Sequence, residues 1–212
     1  MKTMQLFVCA TLVLASSASA QKWEFGGGVG GGFYTSDTVT SPSGSAGAKF
    51  NMGVAGSAWL ANTTSRRFSG ELRYDYQMGD MHLGSNGATA NFGAQTHAVH
   101  YDILWQPGSS EGRVHPFVAF GGGVKVYRGT GAEQVYQPLE NIALLTKVNQ
   151  LEPLVSVGTG LKFRVSNRIN FRLEVHDYLT PFPRNVIAPA QNAKVGGWLQ
   201  DIVPMFGVSF LL

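Results

Sequence analysis

Residues 68–78 read FSGELRYDYQM, and this stretch alternates strictly between two kinds of side chain. One row consists of Phe68, Gly70, Leu72, Tyr74, Tyr76 and Met78, and the other of Ser69, Glu71, Arg73, Asp75 and Gln77. A period of two places successive side chains on opposite faces of a β-strand. The stretch therefore predicts a strand with one apolar and one polar face, long enough to cross a bilayer when tilted.

Seven other segments of the chain share this alternation. The clearest are 155–164 and 169–176, and the others are 23–33, 48–60, 98–105, 114–127 and 202–212. In the second segment along the chain the apolar row comprises Phe50, Met52, Val54 and Ala58. Eight such segments predict eight membrane-crossing strands.

The connections between these segments differ in length. Those near 35–47, 79–91, 128–152 and 179–200 are long, whereas those near 61–67, 106–113 and 166–168 are short. Long loops at one end and tight turns at the other are typical of outer-membrane barrels. The predicted fold class is all-β, an eight-stranded antiparallel up-and-down transmembrane β-barrel that forms one domain over 21–212 and is monomeric.

Residues 1–20 have the features of a cleaved export signal. Lys2 supplies a positive charge, 6–15 an apolar core, and Ala18-Ser19-Ala20 a small-residue motif that predicts cleavage between Ala20 and Gln21. The apolar core is too short for a membrane-spanning helix, which needs about 20 residues. Cys9 lies inside this signal, so the mature chain is expected to have no disulfide.

The composition indicates which row faces outward. Charged residues make up 14% of the chain, and the polar rows are crowded with small residues such as Gly26, Gly28, Gly121, Gly123 and Gly158. Small residues beside a few charges fit the narrow interior of an eight-stranded barrel, and lipid excludes charges from the apolar row. The alternative is a soluble calyx with its apolar row inward. The net charge of +3 is scattered, which does not favour nucleic-acid binding.

The sequence resembles the small bacterial outer-membrane barrels, a group that includes OmpA-type transmembrane domains and OmpX-like proteins. The resemblance is carried by the export signal, the final strand and two further strands, RVHPFVAFGGGVKVY at 113–127 and NRINFRLEVHDY at 167–178. The resemblance covers 21–212. It implies an outer-membrane location and a last strand that the barrel-insertion machinery recognises. Phe206, Val208 and Phe210 keep the spacing of that signal, although the terminal residue is Leu212.

The charged side chains of the polar rows are predicted to form an ionic network in the lumen, because enclosed charges must pair or be hydrated. The alternative is a narrow channel for ions or small solutes, gated by such a pair. The residues of this hypothesis are Glu71, Arg73, Asp75, His100, Asp102, Lys125, Lys162, Arg164, Arg172 and Glu174.

Other motifs do not favour enzymatic or cofactor chemistry. The glycine run at 26–31 fits a loose dinucleotide motif, but no helix is predicted after it. His97 and His100 are three apart on a strand and face opposite sides, so they do not predict a metal site. His100 and Asp102 share a face, but no serine is assigned beside them. We therefore expect no enzyme, no cofactor and no metal.

The long loops are the expected functional surface. Residues 138–145 are predicted to form a short amphipathic helix that begins at a proline. The alternative is that the third and fourth loops fold over the barrel mouth and pack on each other. The predicted role is structural or surface interaction, with lipid and an extracellular ligand or protein as partners. The predicted contact residues are Leu139, Ile142, Leu145, Phe182, Ile187 and Trp198.

Overall fold

The computed structural model describes residues 22–107, 112–132 and 136–212. The predicted signal peptide and its cleavage site at Ala20 and Gln21 lie outside the described residues. The strands are β1 (Lys22–Tyr34), β2 (Asp37–Ser41), β3 (Gly44–Phe50), β4 (Gly53–Thr63), β5 (Phe68–Ser85), β6 (Ala88–Trp105), β7 (Val114–Gly129), β8 (Ala143–Leu145), β9 (Asn149–Arg164), β10 (Ile169–Pro181), β11 (Ile187–Pro189), β12 (Lys194–Val195) and β13 (Trp198–Leu211).

Eight of these strands form a closed antiparallel ring in the order β1, β4, β5, β6, β7, β9, β10 and β13, with β13 pairing back to β1. The alternation in the sequence therefore predicted the fold class correctly. The described part of the chain contains no helix long and apolar enough to cross a membrane.

The outer face of the ring carries exposed apolar side chains, which we call the outer belt. Examples are Val29, 66% exposed, Phe120, 62%, and Leu173, 52%. Aromatic side chains border the belt at the short-turn end, where Trp23, Phe68 and Trp105 are exposed. This arrangement is the reverse of a soluble calyx, whose apolar row points inward.

The predicted loop at 79–91 is wrong, because β5 and β6 continue through it as a long hairpin. Ser85 pairs with Ala88, and the two residues between them have positive φ, 47° at Asn86 and 84° at Gly87. Asn-Gly is the preferred sequence for such a two-residue turn. The hairpin extends the sheet beyond the ring at the long-loop end.

Phe50 does not belong to the outward row, which corrects its predicted place beside Met52 and Val54. Phe50 pairs with Met81 and Val54 pairs with Met78. Between these two pairs, the three residues 51–53 therefore lie opposite the two residues 79–80. This one-residue β-bulge reverses the side-chain phase. Phe50 is consequently 3% exposed and Met52 67% exposed.

The loops at the long-loop end contain further strands. β2 and β3 form a hairpin beside β5, β12 pairs with β2, and β8 pairs with β11. The helix predicted over 138–145 is wrong. The amide of Ala143 donates to the carbonyl of Leu139 over 3.0 Å, which closes a single turn before the chain enters β8.

Candidate functional site

Arg73 lies at the centre of the barrel interior and is fully buried. Its Nε donates to Asp75 Oδ1 over 3.1 Å and its Nη1 to Glu71 Oε1 over 3.2 Å, and its Nη2 contacts Glu174 on the opposite wall. Glu71, Arg73 and Asp75 alternate along β5, so the pleat directs all three side chains inward. One strand thus supplies an acid–base–acid row to the interior.

Arg172 of β10 pairs with the same carboxylates from the other side. Its Nη2 donates to Glu71 Oε1 over 3.1 Å and its Nη1 to Glu71 Oε2 over 2.5 Å, a bidentate pair between residues 101 apart in sequence. Its Nε lies 2.5 Å from Glu174 Oε2. Charge-assisted, bidentate pairs are among the strongest hydrogen bonds in proteins. These pairs connect β5 directly to β10 through the middle of the barrel.

Trp59 covers this ion-pair cluster and was not predicted as an interior residue. The guanidinium carbons of Arg73 and Arg172 lie 5.1 and 4.8 Å from the centre of its ring, within cation–π range. The ring fills the space left by glycines of the facing strands. A Cβ on Gly26 would lie 2.6 Å from Trp59 Cε2, and one on Gly207 would lie 2.4 Å from Trp59 Cη2. The glycine-rich inner row therefore makes room for a tryptophan.

His100 lies between two carboxylates, one of them Asp102, with which it was predicted to share a face. Nδ1 is 3.0 Å from Asp102 Oδ1 and Nε2 is 2.9 Å from Asp75 Oδ2, and the Tyr178 hydroxyl donates to Asp75 Oδ2 over 2.9 Å. An imidazole with a carboxylate at each nitrogen satisfies both contacts when both nitrogens carry hydrogen. His97 lies on the outer face of β6, where its ring contacts Tyr74.

Sequence reasoning missed His176 and Ser156 in this cluster. His176 Nδ1 is 3.5 Å from Ser156 Oγ, and Ser156 donates to Asp102 Oδ2 over 3.2 Å. Both side chains are fully buried. The alternation of β9 and β10 already assigned them to the polar row, so row position alone could have included them. A substrate has no access to this serine in the described structure.

Lys125 forms a second cluster nearer the long-loop end. It pairs with Asp201 over 2.5 Å, and its ammonium lies 4.8, 5.4 and 5.5 Å from the ring centres of Tyr34, Tyr127 and Tyr178. Gln77 also donates to Asp201 over 2.7 Å. Asp201 was missed because the last strand, which begins at Trp198, was predicted to begin only at residue 202.

The short-turn end of the interior holds a third pair. Lys162 donates to Glu24 Oε2 over 2.8 Å, and Ser209 donates to Glu24 Oε1 over 2.6 Å. Arg164, which was predicted to belong to the network, is exposed at the end of β9. The other nine predicted network residues are buried inside the barrel.

We call the buried interior charges the ionic core. It has six carboxylates against four guanidinium or ammonium groups, with two imidazoles among them. Its members are Glu24, Glu71, Arg73, Asp75, His100, Asp102, Lys125, Lys162, Arg172, Glu174, His176 and Asp201. The core is crowded, because each of these residues is at most 5% exposed.

A second, apolar cluster closes the barrel at the long-loop end. We call it the mouth cap. Leu139, Ile142 and Leu145 pack with Phe182 and Ile187, and all five are at most 6% exposed. These five residues are therefore not available as the exposed contact surface predicted for them, and among the predicted contacts only Trp198, 62% exposed, faces outward. The third and fourth loops fold over the mouth and pack on each other, as the alternative interpretation of the sequence predicted.

Comparison with known proteins identifies the fold. The chain superposes on the outer membrane protein OprG from Pseudomonas aeruginosa with a TM-score of 0.59, 9% identity, and coverage of 90% of this chain and 95% of that one. For Neisserial surface protein A the TM-score is 0.56, with 9% identity and coverage of 89% and 96%. No protein-family model matches the sequence, and no curated protein matches it either. The chain has the fold of small outer-membrane β-barrels.

Proposed function

We propose that the protein is an integral outer-membrane barrel with a sealed interior and a structural or surface-interaction role at the cell surface. The observation that carries the proposal is a reversal of polarity along the β5–β6 hairpin. Toward the short turns its outward side chains include Leu72, Tyr101 and Ile103, each more than half exposed. Beyond the bulge the apolar side chains, Met81 and Leu83, are fully buried instead.

This reversal corresponds to two different surroundings. Hydrocarbon favours apolar side chains outside and charges inside, whereas water favours the opposite. A soluble protein rarely exposes an apolar surface as large as the outer belt. The spanning part of the barrel is thus suited to lipid, and the extension beyond the bulge to water.

The extension presents a flat, polar sheet face to its surroundings. Its outward side chains are small or hydrophilic, and they come from β2, β3, β5 and β6. They are Thr38, Thr40, Ser45, Lys49, Asp80, His82, Thr89 and Asn91. We assign the surface-interaction role to this face, because the predicted loop contacts are buried in the mouth cap.

Cell fractionation and gel migration test the membrane location. We expect the protein in the outer-membrane fraction, insoluble without detergent, and migrating differently before and after boiling. A protein that stays monomeric in buffer without detergent would instead be a soluble calyx.

Planar-bilayer recordings test the sealed interior. The ionic core and the mouth cap leave the barrel packed, so we expect no conductance steps from the wild-type protein or from an Arg73→Ala variant, in bilayers where a general porin conducts. Reproducible steps from the wild type would establish the alternative, a narrow channel for ions.

Adherence assays test the sheet face. Cells that produce the protein are compared with cells that produce a Thr40→Lys, Thr89→Lys variant, on glass coated with serum proteins. We expect the added charges to reduce adherence to the level of cells without the protein, whereas equal adherence of the variant and the wild type would leave only the structural role.

A further inference from the structure

Five arginines lie exposed at the short-turn end of the barrel. Arg66 and Arg67 are in the β4–β5 turn, Arg113 precedes β7, Arg164 ends β9, and Arg168 is in the β9–β10 turn. We call these five residues the basic rim. None of them belongs to the ionic core, and the proposed function does not use them.

Backbone hydrogen bonds hold the rim at one level around the ring. The amide of Arg164 donates to the carbonyl of Arg113 over 2.8 Å, and the amide of Leu211 donates to the carbonyl of Arg168 over 2.9 Å. The amide of Gln106 donates to the carbonyl of Arg67 over 2.8 Å. The turns that carry the arginines are therefore fixed laterally to neighbouring strands.

The exposed side-chain charges that the structure describes at this end are all positive, and Glu111, in the same turn as Arg113, lies outside the described residues. In residues 22–107, 112–132 and 136–212, no Asp or Glu side chain is exposed at the short-turn end, and Glu24 is buried there against Lys162. The opposite end is mixed, with Asp80 and Glu140 exposed and Asp37 half-buried beside the exposed Lys49 and Lys194. The asymmetry points to an anionic partner at the short-turn end only.

The rim also lies against the edge of the outer belt. Phe68 directly follows Arg67 and pairs with Trp105, and both rings are exposed, 48% and 44%. Aromatic girdles lie at the level of lipid headgroups. The guanidinium groups are thus beside the headgroups of the leaflet on this side, and guanidinium binds phosphate oxygens in a bidentate manner.

We propose that the basic rim binds anionic phospholipid headgroups of the periplasmic leaflet. The inference rests on the proposed membrane location, in which the short turns face the periplasm. Each arginine near an anionic surface favours binding about fivefold. Several arginines at one level would therefore enrich a phospholipid such as phosphatidylglycerol around the barrel relative to a zwitterionic lipid.

Quenching of tryptophan fluorescence by brominated lipids tests the proposal, because Trp23 and Trp105 are exposed beside the rim. Full-length mature protein with Trp198→Phe, which removes the exposed tryptophan of the opposite end, is reconstituted in phosphatidylcholine vesicles. Either brominated phosphatidylglycerol or brominated phosphatidylcholine is then added at increasing fractions. At low salt we expect brominated phosphatidylglycerol to quench the fluorescence at a fraction at least fivefold lower than brominated phosphatidylcholine does. We expect this preference to decrease as the salt concentration is raised.

The rim variant replaces all five arginines with glutamine, and the matched control replaces Lys49, Arg128 and Lys194 with glutamine at the opposite end. We expect the rim variant to lose the preference and the control to keep it. Equal preference in the rim variant and wild type would overturn the proposal. If the five-fold variant does not insert, the pairs Arg66→Gln, Arg67→Gln and Arg164→Gln, Arg168→Gln are each expected to reduce the preference.

Two other results are distinguishable. In the first, the protein inserts normally, shows no preference among phospholipids, and sediments with purified peptidoglycan through the rim. This result would overturn the lipid proposal in favour of a cell-wall partner. A protein that does not enter vesicles at all, and stays dissolved without detergent, would remove the proposed membrane location itself and the rim proposal with it.

Discussion

At the scale of single residues, the interior is organised around two arginines and the carboxylates that enclose them. Arg73 and Arg172 share Glu71 and Glu174 as partners, so that each charge has neighbours on more than one strand. Removing one partner of a buried ion pair leaves the opposite charge buried and unpaired. The loss of folding free energy is then larger than the stabilisation that the pair contributed. The network therefore stabilises the closed barrel only as a complete set.

The first prediction concerns Arg73. We expect Arg73→Met to lower the free energy of unfolding by about 3–5 kcal/mol, because Glu71, Asp75 and Glu174 would lose a shared cation inside the barrel. Urea unfolding in lipid vesicles, followed by tryptophan fluorescence, measures the change. Arg128→Met, at an exposed position of β7, is the matched control and should behave as wild type. Equal stability of the two variants would mean that the charges are hydrated rather than paired.

The second prediction concerns the glycines beneath Trp59. A valine at Gly207 would displace the Trp59 ring, since a Cβ there already lies 2.4 Å from Cη2. We expect Gly207→Val to destabilise the barrel by about 1–3 kcal/mol, as overpacking does. In Gly56→Val the nearest atom to the new Cβ is 4.0 Å away, so this outward substitution should have little effect in the same unfolding assay. A neutral Gly207→Val would show that the tryptophan position is not fixed.

At the scale of elements, the mouth cap and the spanning strands are separate units of packing. The cap cluster joins residues of the third and fourth loops to the inner face of the β5–β6 extension, and it includes Phe92 and Tyr127. The ring is held by backbone pairing between spanning strands. We therefore expect the cap to open without loss of the barrel.

The third prediction tests that independence. Phe182→Ala removes a side chain that is 2% exposed in the cap, and it should make cleavage by trypsin after Lys147 or Arg184 at least about tenfold faster. The shift in gel migration on boiling, which reports the intact barrel, should be unchanged. Trp198→Ala, at an exposed side chain, is the control and should be cleaved at the wild-type rate. Loss of the migration shift in Phe182→Ala would show that cap and barrel fold as one unit.

Local alternation predicted the spanning strands and assigned all ten network residues to the interior, because the pleat alone determines which face a strand residue points to. Nine of the ten are buried. It could not predict Phe50, since one extra residue at a bulge reverses every side chain beyond it. It also assigned Leu139 and Phe182 to an exposed surface, because burial in the cap depends on contacts between distant loops. Arg164 was misplaced because its strand ends there.

At the scale of the whole molecule, the outer belt and the polar extension divide the barrel into a zone for lipid and a zone for water. Leu173 lies in the middle of the belt, paired with Leu161 and Phe206. Leu151 lies near its upper edge, paired with Val126 and two residues from the exposed Asn149. The position of the lipid boundary can therefore be measured with a charged side chain.

The fourth prediction makes that measurement. We expect Leu173→Arg to destabilise the barrel in vesicles by about 2–4 kcal/mol, because the charge would lie at mid-membrane, and Leu151→Arg by about 0–1 kcal/mol. The two side chains are both more than half exposed, so neither substitution disturbs the interior. Equal costs at the two sites would contradict the assigned depth of the belt.

The ionic core also has a consequence for biogenesis. Its partners come from strands far apart in the chain, such as Glu71 with Arg172 and Glu24 with Lys162, so they meet only when the first and last halves of the sheet join. Until then these groups remain hydrated, which helps to keep the unfolded polypeptide dispersed. The charged groups lose their water and form their ion pairs only when the barrel closes. A half-assembled barrel is therefore stabilised little by these pairs. Assembly in the bilayer is therefore expected to be all-or-none.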